Sequence, residues 1–207
     1  MSLIPVPDGH VGAVVTYLEM TERPILPLPA RGAGPAVGEA GRTGKLRLER
    51  WRAPDPSRYR ALFQKVGAPW LWYSRLAMDD ARLRREMAEV YGVVDEAGAE
   101  VGLVELDFRQ PGQCLIRFLG LIPELAGRGH GAWLFGETLA LAWRAGVERV
   151  AVNTCSLDHP AALRAYLRAG FTAYKRAFES FPDPRLAGLL PADAAPYTPS
   201  IGGGGSG

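Results

Sequence analysis

The sequence predicts an α/β (α+β) domain built on a mixed, mostly antiparallel central sheet flanked by helices. Three observations carry that expectation. Residues 90–122 hold three β-rich apolar runs separated by two short turns, the pattern of an antiparallel meander. Residues 114–143 then run strand, glycine loop, apolar helix, and residues 149–181 run strand, helix, strand. A chain of 207 residues, 47% of them hydrophobic, is enough for one ordinary domain with a real core.

In order, Val11 to Glu22, rich in Val, Thr and Tyr, reads as a strand. Pro24 to Gly44 is dense in Pro, Gly and Ala and reads as a mobile loop. Lys45 to Trp51 alternates Leu46 and Leu48 with charged residues, as a half-exposed strand does. A Pro-Asp-Pro-Ser start opens a helix over Asp55 to Val66, with Tyr59, Leu62, Phe63 and Val66 on one face. Trp70, Leu71, Trp72 and Tyr73 cluster next, and Asp79-Asp80 opens a short charged helix towards Glu89.

The meander strands are Val90–Asp95, Glu100–Arg109 and Cys114–Ile122, with turns at 96–99 and at Pro111-Gly112. An apolar helix follows from Ala132 to Trp143, stopped by Gly146. Trp133, Phe135, Leu139 and Trp143 make it apolar nearly all round, as a helix buried against the sheet would be. Arg149–Cys155 is a strand, Pro160–Ala169 a helix closed by Gly170, and Phe171–Phe181 a final strand. Pro182–Ile201 reads as weakly structured and long enough to pack on a second subunit in a homodimer. Gly202–Gly207 resembles an engineered flexible linker and is set apart from the fold.

A net charge of +2 argues against a nucleic-acid partner. The cluster Arg47, Arg50, Arg52, Arg58, Arg60 is broken by Glu49 and Asp55 and reads as a solvated face. Cys114 and Cys155 lie in apolar runs and read as buried free thiols, which suits a reducing cytoplasm. The N-terminus lacks the pattern of a signal peptide and no segment has the length of a membrane span, so a cytoplasmic location is expected.

The glycine loop Gly127-Arg128-Gly129-His130-Gly131 between strand and helix is how a chain builds a phosphate cradle, through backbone N–H groups and a helix N-terminus. A nucleoside-triphosphate loop needs Gly-Lys-Ser/Thr, and His130-Gly131-Ala132 has none of it. Gly127, Gly129 and Ala132 satisfy G-x-G-x-x-A on paper. Pro123 to Ala126 intervene after the strand, however, and Glu148 precedes its strand rather than ending it, which disfavours a dinucleotide-dependent oxidoreductase.

Two motifs in order resemble the GNAT superfamily, the Gcn5-related N-acetyltransferases. One is Leu121-Ile122-Pro123-Glu124 followed by Ala126-Gly127-Arg128-Gly129-His130-Gly131-Ala132, similar to the acyl-coenzyme A loop (Arg/Gln)-x-x-Gly-x-(Gly/Ala). The other is His159-Pro160-Ala161-Ala162 through Tyr166 to Gly170-Phe171, similar to Asn-x-x-Ala-x-x-x-Tyr-x-x-x-Gly-Phe. The resemblance implies a GNAT-like sheet with acyl-coenzyme A in a strand splay, and acetyl-coenzyme A as cosubstrate with no metal. It implies direct transfer of an acetyl group to a primary amine in a ternary complex, the acceptor being a small molecule or a peptide. It also divides the chain. Residues 1–89 become a variable N-terminal part of the same domain, with 24–44 as its loop. Residues 90–181 become the acyl-coenzyme A-binding core, 182–201 a C-terminal extension and 202–207 the linker.

Residue by residue, the resemblance assigns the pantetheine to the backbone of Leu119, Gly120 and Leu121. The diphosphate falls to Gly127, Arg128, Gly129, His130, Gly131 and Ala132, and further cofactor contacts to His159 and Ala162. Tyr166 becomes the general acid for the leaving thiolate, and a backbone N–H of the preceding strand stabilises the developing oxyanion. Ala126 departs from the usual Arg or Gln, leaving Arg128 to supply charge, and His159 stands where Asn is usual.

No carboxylate occupies the usual base positions, which here read Leu115 to Arg117 and Asn153-Thr154. Glu105 and Asp107, at i and i+2 on the neighbouring strand, are the nearest candidates, with Glu105 assigned as base. The other reading places both on the solvated side of a half-exposed strand. The missing base also leaves open an inactive acyl-coenzyme A-binding sensor. His130 is expected to be exposed, its backbone mattering more than its ring. Asp158 or His159 is expected as a helix N-cap rather than a metal ligand. The Trp70–Tyr73 cluster is read as core, with a wall of the acceptor pocket as the alternative.

Overall fold

The computed structural model describes residues 3–24, 46–126 and 128–202. Most of the expected 24–44 loop, the strand start at Lys45, Gly127 and all but the first residue of the expected linker lie outside the described residues. The strands are β1 (His10–Met20), β2 (Arg47–Arg50), β3 (Glu89–Val94), β4 (Glu100–Asp107), β5 (Gln113–Leu121), β6 (Arg149–Cys155) and β7 (Thr172–Pro182). The helices are α1 (Pro56–Gly67), α2 (Asp80–Glu86), α3 (His130–Ala142) and α4 (Ala162–Arg168), with single 3-10 turns at Ala68–Trp70 and Pro123–Leu125.

One seven-stranded sheet runs in the order β2-β3-β4-β5-β6-β1-β7. Every pair is antiparallel except β5 with β6, so the expected mixed, mostly antiparallel class is what the chain adopts. The β3-β4-β5 meander forms as its two short turns require. β1 is the element whose place could not be read locally: it lies between β6 and β7, pairing Val15 with Cys155 on one side and with Ala177 on the other. The start of the chain is therefore built into the sheet beside its last strands.

Helices α1 and α2 begin where the sequence says. Asp55 accepts the Arg58 N–H at 2.9 Å, with Pro56 at the first helical position, and Asp79 accepts the Arg82 N–H at 2.7 Å. Tyr59, Leu62, Phe63 and Val66 bury the i, i+3, i+4, i+7 face of α1 in the core, each side chain contributing about 1.5–3 kcal/mol. The arginine face is paired rather than free. Arg58 binds Glu100 at 2.6 Å and stacks on Trp51, Arg60 binds Asp80 at 2.6 Å, and Arg47 binds Glu49 at 2.7 Å.

Four expectations change. α4 starts at Ala162, two residues later than expected, with no side-chain cap. Asp158 is instead consumed by the turn after β6, accepting from the Thr154 hydroxyl at 2.7 Å and the Cys155 N–H at 2.9 Å. β4 is not half-exposed: it is buried from Val101 to Asp107, because both faces of the sheet centre are covered. Cys114 is fully buried, its thiol pushed up to about 12 by desolvation, but Cys155 is only half-buried. Among the described residues no helix is long and apolar enough to cross a membrane.

The segment after β7 forms turns rather than helix or strand, yet it is packed on its own domain. Leu190, Ala194 and Ala195 join Val11, Ala13, Leu71 and Phe181 in a second small core. The buried Asp183 carboxylate clamps this segment, accepting from Arg185 at 2.8 Å and Ser200 at 2.8 Å, while Arg185 donates to the carbonyls of Ala194 and Thr198. The Arg185 hydrogen bonds lower the Asp183 carboxyl to about 2. A folded-state value below the unfolded one stabilises above the unfolded value of ~3.9 and is lost as pH falls through the folded one. Protection against hydrogen exchange, taken relative to the free-peptide rate at each pH, should therefore fall at the Leu189 and Leu190 amides, both bonded to the Pro184 carbonyl, between about pH 4 and pH 2. In Asp183→Asn, which leaves the Arg185 cation without its partner, protection should be low already at neutral pH and show no such step.

Candidate functional site

β5 and β6 pair only over four residues, from Gln113 opposite Arg149 to Ile116 opposite Val152. Beyond Ile116 they diverge. On its other edge β5 stays paired with β4 as far as Leu121, but with a register shift: Glu105 faces Phe118 and Leu106 faces Ile116, so Arg117 is the extra residue of a bulge. The Arg117 guanidinium returns to Asp107 of β4 at 2.7 Å, and Asp107 also binds Arg109 at 2.6 Å. These partners, Arg109 foremost, hold the Asp107 carboxyl far below the usual carboxylate range. The bulge and its ion pair turn the end of β5 away from β6.

The divergence opens a cavity of about 710 Å³ lined by both strands, α3, α4 and the aromatic segment after α1. Ile122 donates its N–H to the Val101 carbonyl. Alternation along an antiparallel ladder then aims the N–H and C=O groups of Leu119 and Leu121 away from β4, into the gap. Among the described residues these strand groups have no ladder partner, and beside a cavity they can bond an extended, amide-containing ligand.

At the mouth of the gap α3 begins. Its N-cap, Gly129, sits at φ +81°, a left-handed conformation that favours glycine, and no side chain caps the helix. The first-turn amides and the positive end of the helix dipole are thus left for an anion. A Cβ added at Gly131 would meet nothing within 4 Å, so the cradle is open. At Gly120 the reverse holds: a Cβ would come within 2.7 Å of Val66, so close packing of α1 on β5 requires glycine there.

Of the residues expected at the site, Leu119, Gly120, Leu121, Gly131, Ala132, His159, Ala162 and Tyr166 all line this one cavity. Gly129 and the exposed Arg128 stand just before α3, and Gly127 lies outside the described residues. His130 departs from expectation: it is 1% exposed, with neither ring nitrogen bonded among the described residues. Burial, then the nearby Arg128 charge, lowers its pKa, so the ring is held neutral beneath the cradle.

Tyr166 packs its ring against Phe135 at 5.5 Å and Phe171 at 5.8 Å. No hydrogen bond from its hydroxyl is formed within the described residues. Burial, with the Asp158 charge second, pushes this phenol well above its usual range, so it stays protonated.

Glu105 lies elsewhere. It is 0% exposed beneath α1, taking hydrogen bonds from the Tyr59 hydroxyl, from Arg75 at 2.7 Å and from the Ala88 N–H at 3.2 Å. The aromatic segment divides its work. Trp70, against His159, and Trp72, against Phe118, line the cavity, while Leu71 and Tyr73 pack in the second core.

The cavity also contains residues that motif reading passed over: Phe118, Phe135, Arg168 and Glu179. Only Arg168 had a local signal, lying two residues after Tyr166. Glu179 reaches the site from β7, across β1, and no spacing in the sequence records that.

A family model described as the acetyltransferase (GNAT) family matches residues 47–171. No curated protein matches the chain. Among solved structures, a GCN5-related N-acetyltransferase from Sphaerobacter thermophilus superposes with a TM-score of 0.54 at 18% identity, covering 84% of this chain and 53% of its own. A tandem GNAT protein from the clavulanic acid biosynthesis pathway gives 0.50 at 21% identity, covering 82% of this chain and 53% of its own. At these identities the likeness concerns the fold, and the chain spans about half the length of both proteins.

Proposed function

The chain belongs to the acetyltransferase (GNAT) family, and on that premise we propose that it moves an acetyl group from acetyl-coenzyme A to a primary amine, with Tyr166 as general acid. The observation that carries this reading is the gap between β5 and β6, edged by the backbone of Leu119 and Leu121 and entered by the α3 N-terminus and Tyr166. Acetyl-coenzyme A, when bound, supplies the acyl group already activated as a thioester.

The residues fit that ligand. Leu119 and Leu121 offer donors and acceptors to an amide-bearing arm. The uncapped first turn of α3, with Gly129 and the open space at Gly131, suits a diphosphate; Arg128 supplies a cation beside it, and Arg168 lines the same cavity. With Ala126 in place of Arg or Gln, backbone amides carry most of the phosphate contact. An N–H of β5 facing the gap is placed to stabilise the developing oxyanion. The Tyr166 hydroxyl gives its proton to the departing sulfur; an unbonded phenol of raised pKa holds that proton until a basic thiolate develops.

Coenzyme A should raise the melting temperature and NAD should not, and a panel of primary amines should release free thiol from acetyl-coenzyme A. Gly131→Ala sharpens the test. Free-protein stability should change by less than about 1 kcal/mol, since a Cβ there meets nothing. Coenzyme A binding should survive, because alanine is one of the two residues the motif admits at this place, whereas the bulkier Gly131→Phe should weaken it by at least about tenfold as the cradle is filled. Stabilisation by NAD instead would sink the assignment. Tight coenzyme A binding with no thiol release for any amine would favour the non-catalytic sensor.

A further inference from the structure

We propose that Glu179 is the catalytic residue that receives the acceptor's ammonium group and takes its proton, which makes the acceptor a primary ammonium on an apolar body. The proposal rests on the acetyl-transfer reading of the cavity. Glu179 lies on β7 opposite Ala13 of β1 and lines the same cavity as Tyr166. Among the described residues no hydrogen bond or ion pair reaches its carboxylate, which stands exposed at the cavity wall.

The other carboxylates nearby are committed. Asp158, also at the cavity, is held by Thr154, by the Cys155 N–H and by the Trp72 indole N–H at 3.3 Å. Glu105 is sealed beneath α1, and Asp107 is bound by Arg109 and Arg117. Glu179 is thus the cavity carboxylate that no described residue binds. Its charge also reaches Tyr73 in the adjoining second core, where, after burial, it is the cause that raises the phenol. Trp70 and Trp72 line the same cavity, apolar surfaces that accept a hydrocarbon body and whose π-faces attract a cation.

The proton and electron pairs balance without a further reagent. Glu179 takes one N–H proton from the ammonium. The freed lone pair forms the C–N bond to the acyl carbon as the C–S bond breaks, and the sulfur takes the Tyr166 proton. The second surplus proton on nitrogen restores the phenol, and Glu179 returns its proton to solvent.

The test compares wild type with Glu179→Gln in the presence of coenzyme A, using 2-phenylethylamine, its neutral analogue 2-phenylethanol and a lysine-containing peptide. Binding is read by tryptophan fluorescence and transfer by thiol release. Glu179→Gln should leave the coenzyme A thermal shift and the affinity for 2-phenylethanol unchanged. It should weaken the favoured ammonium ligand by at least about tenfold, the order expected for losing a charge-assisted hydrogen bond. Loss confined to the free amine or to the peptide identifies which source the site serves. Equal ammonium binding by both proteins, or none by wild type, overturns the proposal. Ammonium binding that depends on Glu179 without thiol release from wild type upholds the site and overturns acetyl transfer instead.

Discussion

Tyr166→Phe is expected to lower kcat by about 10²–10⁴-fold, the contribution of a positioned general acid, while the coenzyme A thermal shift stays as in wild type. The split follows from the geometry. The ring, packed between Phe135 and Phe171, is kept by phenylalanine, and the lost hydroxyl bonds nothing within the described protein. Neither the core nor the cofactor gap therefore has reason to change. Only the proton for the departing sulfur is removed. Steady-state kinetics with a saturating amine, beside thermal shifts with coenzyme A, measures both halves. A variant with wild-type kcat would remove Tyr166 from the chemistry, and a variant that no longer binds coenzyme A would make it a structural residue.

Arg75→Met should be the most damaging substitution for stability. Arg75 is 2% exposed and donates to Glu105, which is 0% exposed, at 2.7 Å. Removing one partner leaves the other as a buried charge, at a cost of about 3–5 kcal/mol. For a domain of this size that lowers Tm by about 6–20 °C. Restoring neutrality with Arg75→Met/Glu105→Gln should recover a large part of the loss, which thermal unfolding of the two variants would show. Arg75→Met within about 1 kcal/mol of wild type would mean that the pair contributes no more than a surface bridge. The effect should also reach the cavity, because the Arg75 guanidinium lies 5.3 Å from the ring of Phe118, which packs on Phe63 and Trp72. The pair thus props the wall behind the site, and its loss should weaken acceptor binding before it affects the α3 cradle.

The elements were legible because their signals are local. Turn residues at Pro111-Gly112, caps at Asp55 and Asp79, and the four-residue apolar face of α1 each act within a few residues. Expectation and structure agree there to within about one turn. The glycine-rich entry to α3 was legible for the same reason, and Tyr166 follows Ala162 at helical spacing. Where local signals competed, reading failed. Asp158 had the right position to cap α4, but Thr154 and the Cys155 amide claimed its carboxylate first. His130, between glycines, looked exposed, yet the way α3 docks on the sheet places its ring inside.

The sequence by itself determined the strand and helix set, the α/β class and the family, because each rests on periodicity, turn chemistry or a short motif. Only the tertiary structure decided which carboxylate faces the cavity. Glu105 and Glu179 are both strand residues, and neither strand says what will cover it. Packing of α1 seals Glu105 against Arg75 and Tyr59, whereas insertion of β1 between β6 and β7 brings Glu179, more than seventy residues away in the chain, to the wall of the gap. The environment of a charge is set by long-range pairing and layer packing, which a local pattern does not encode.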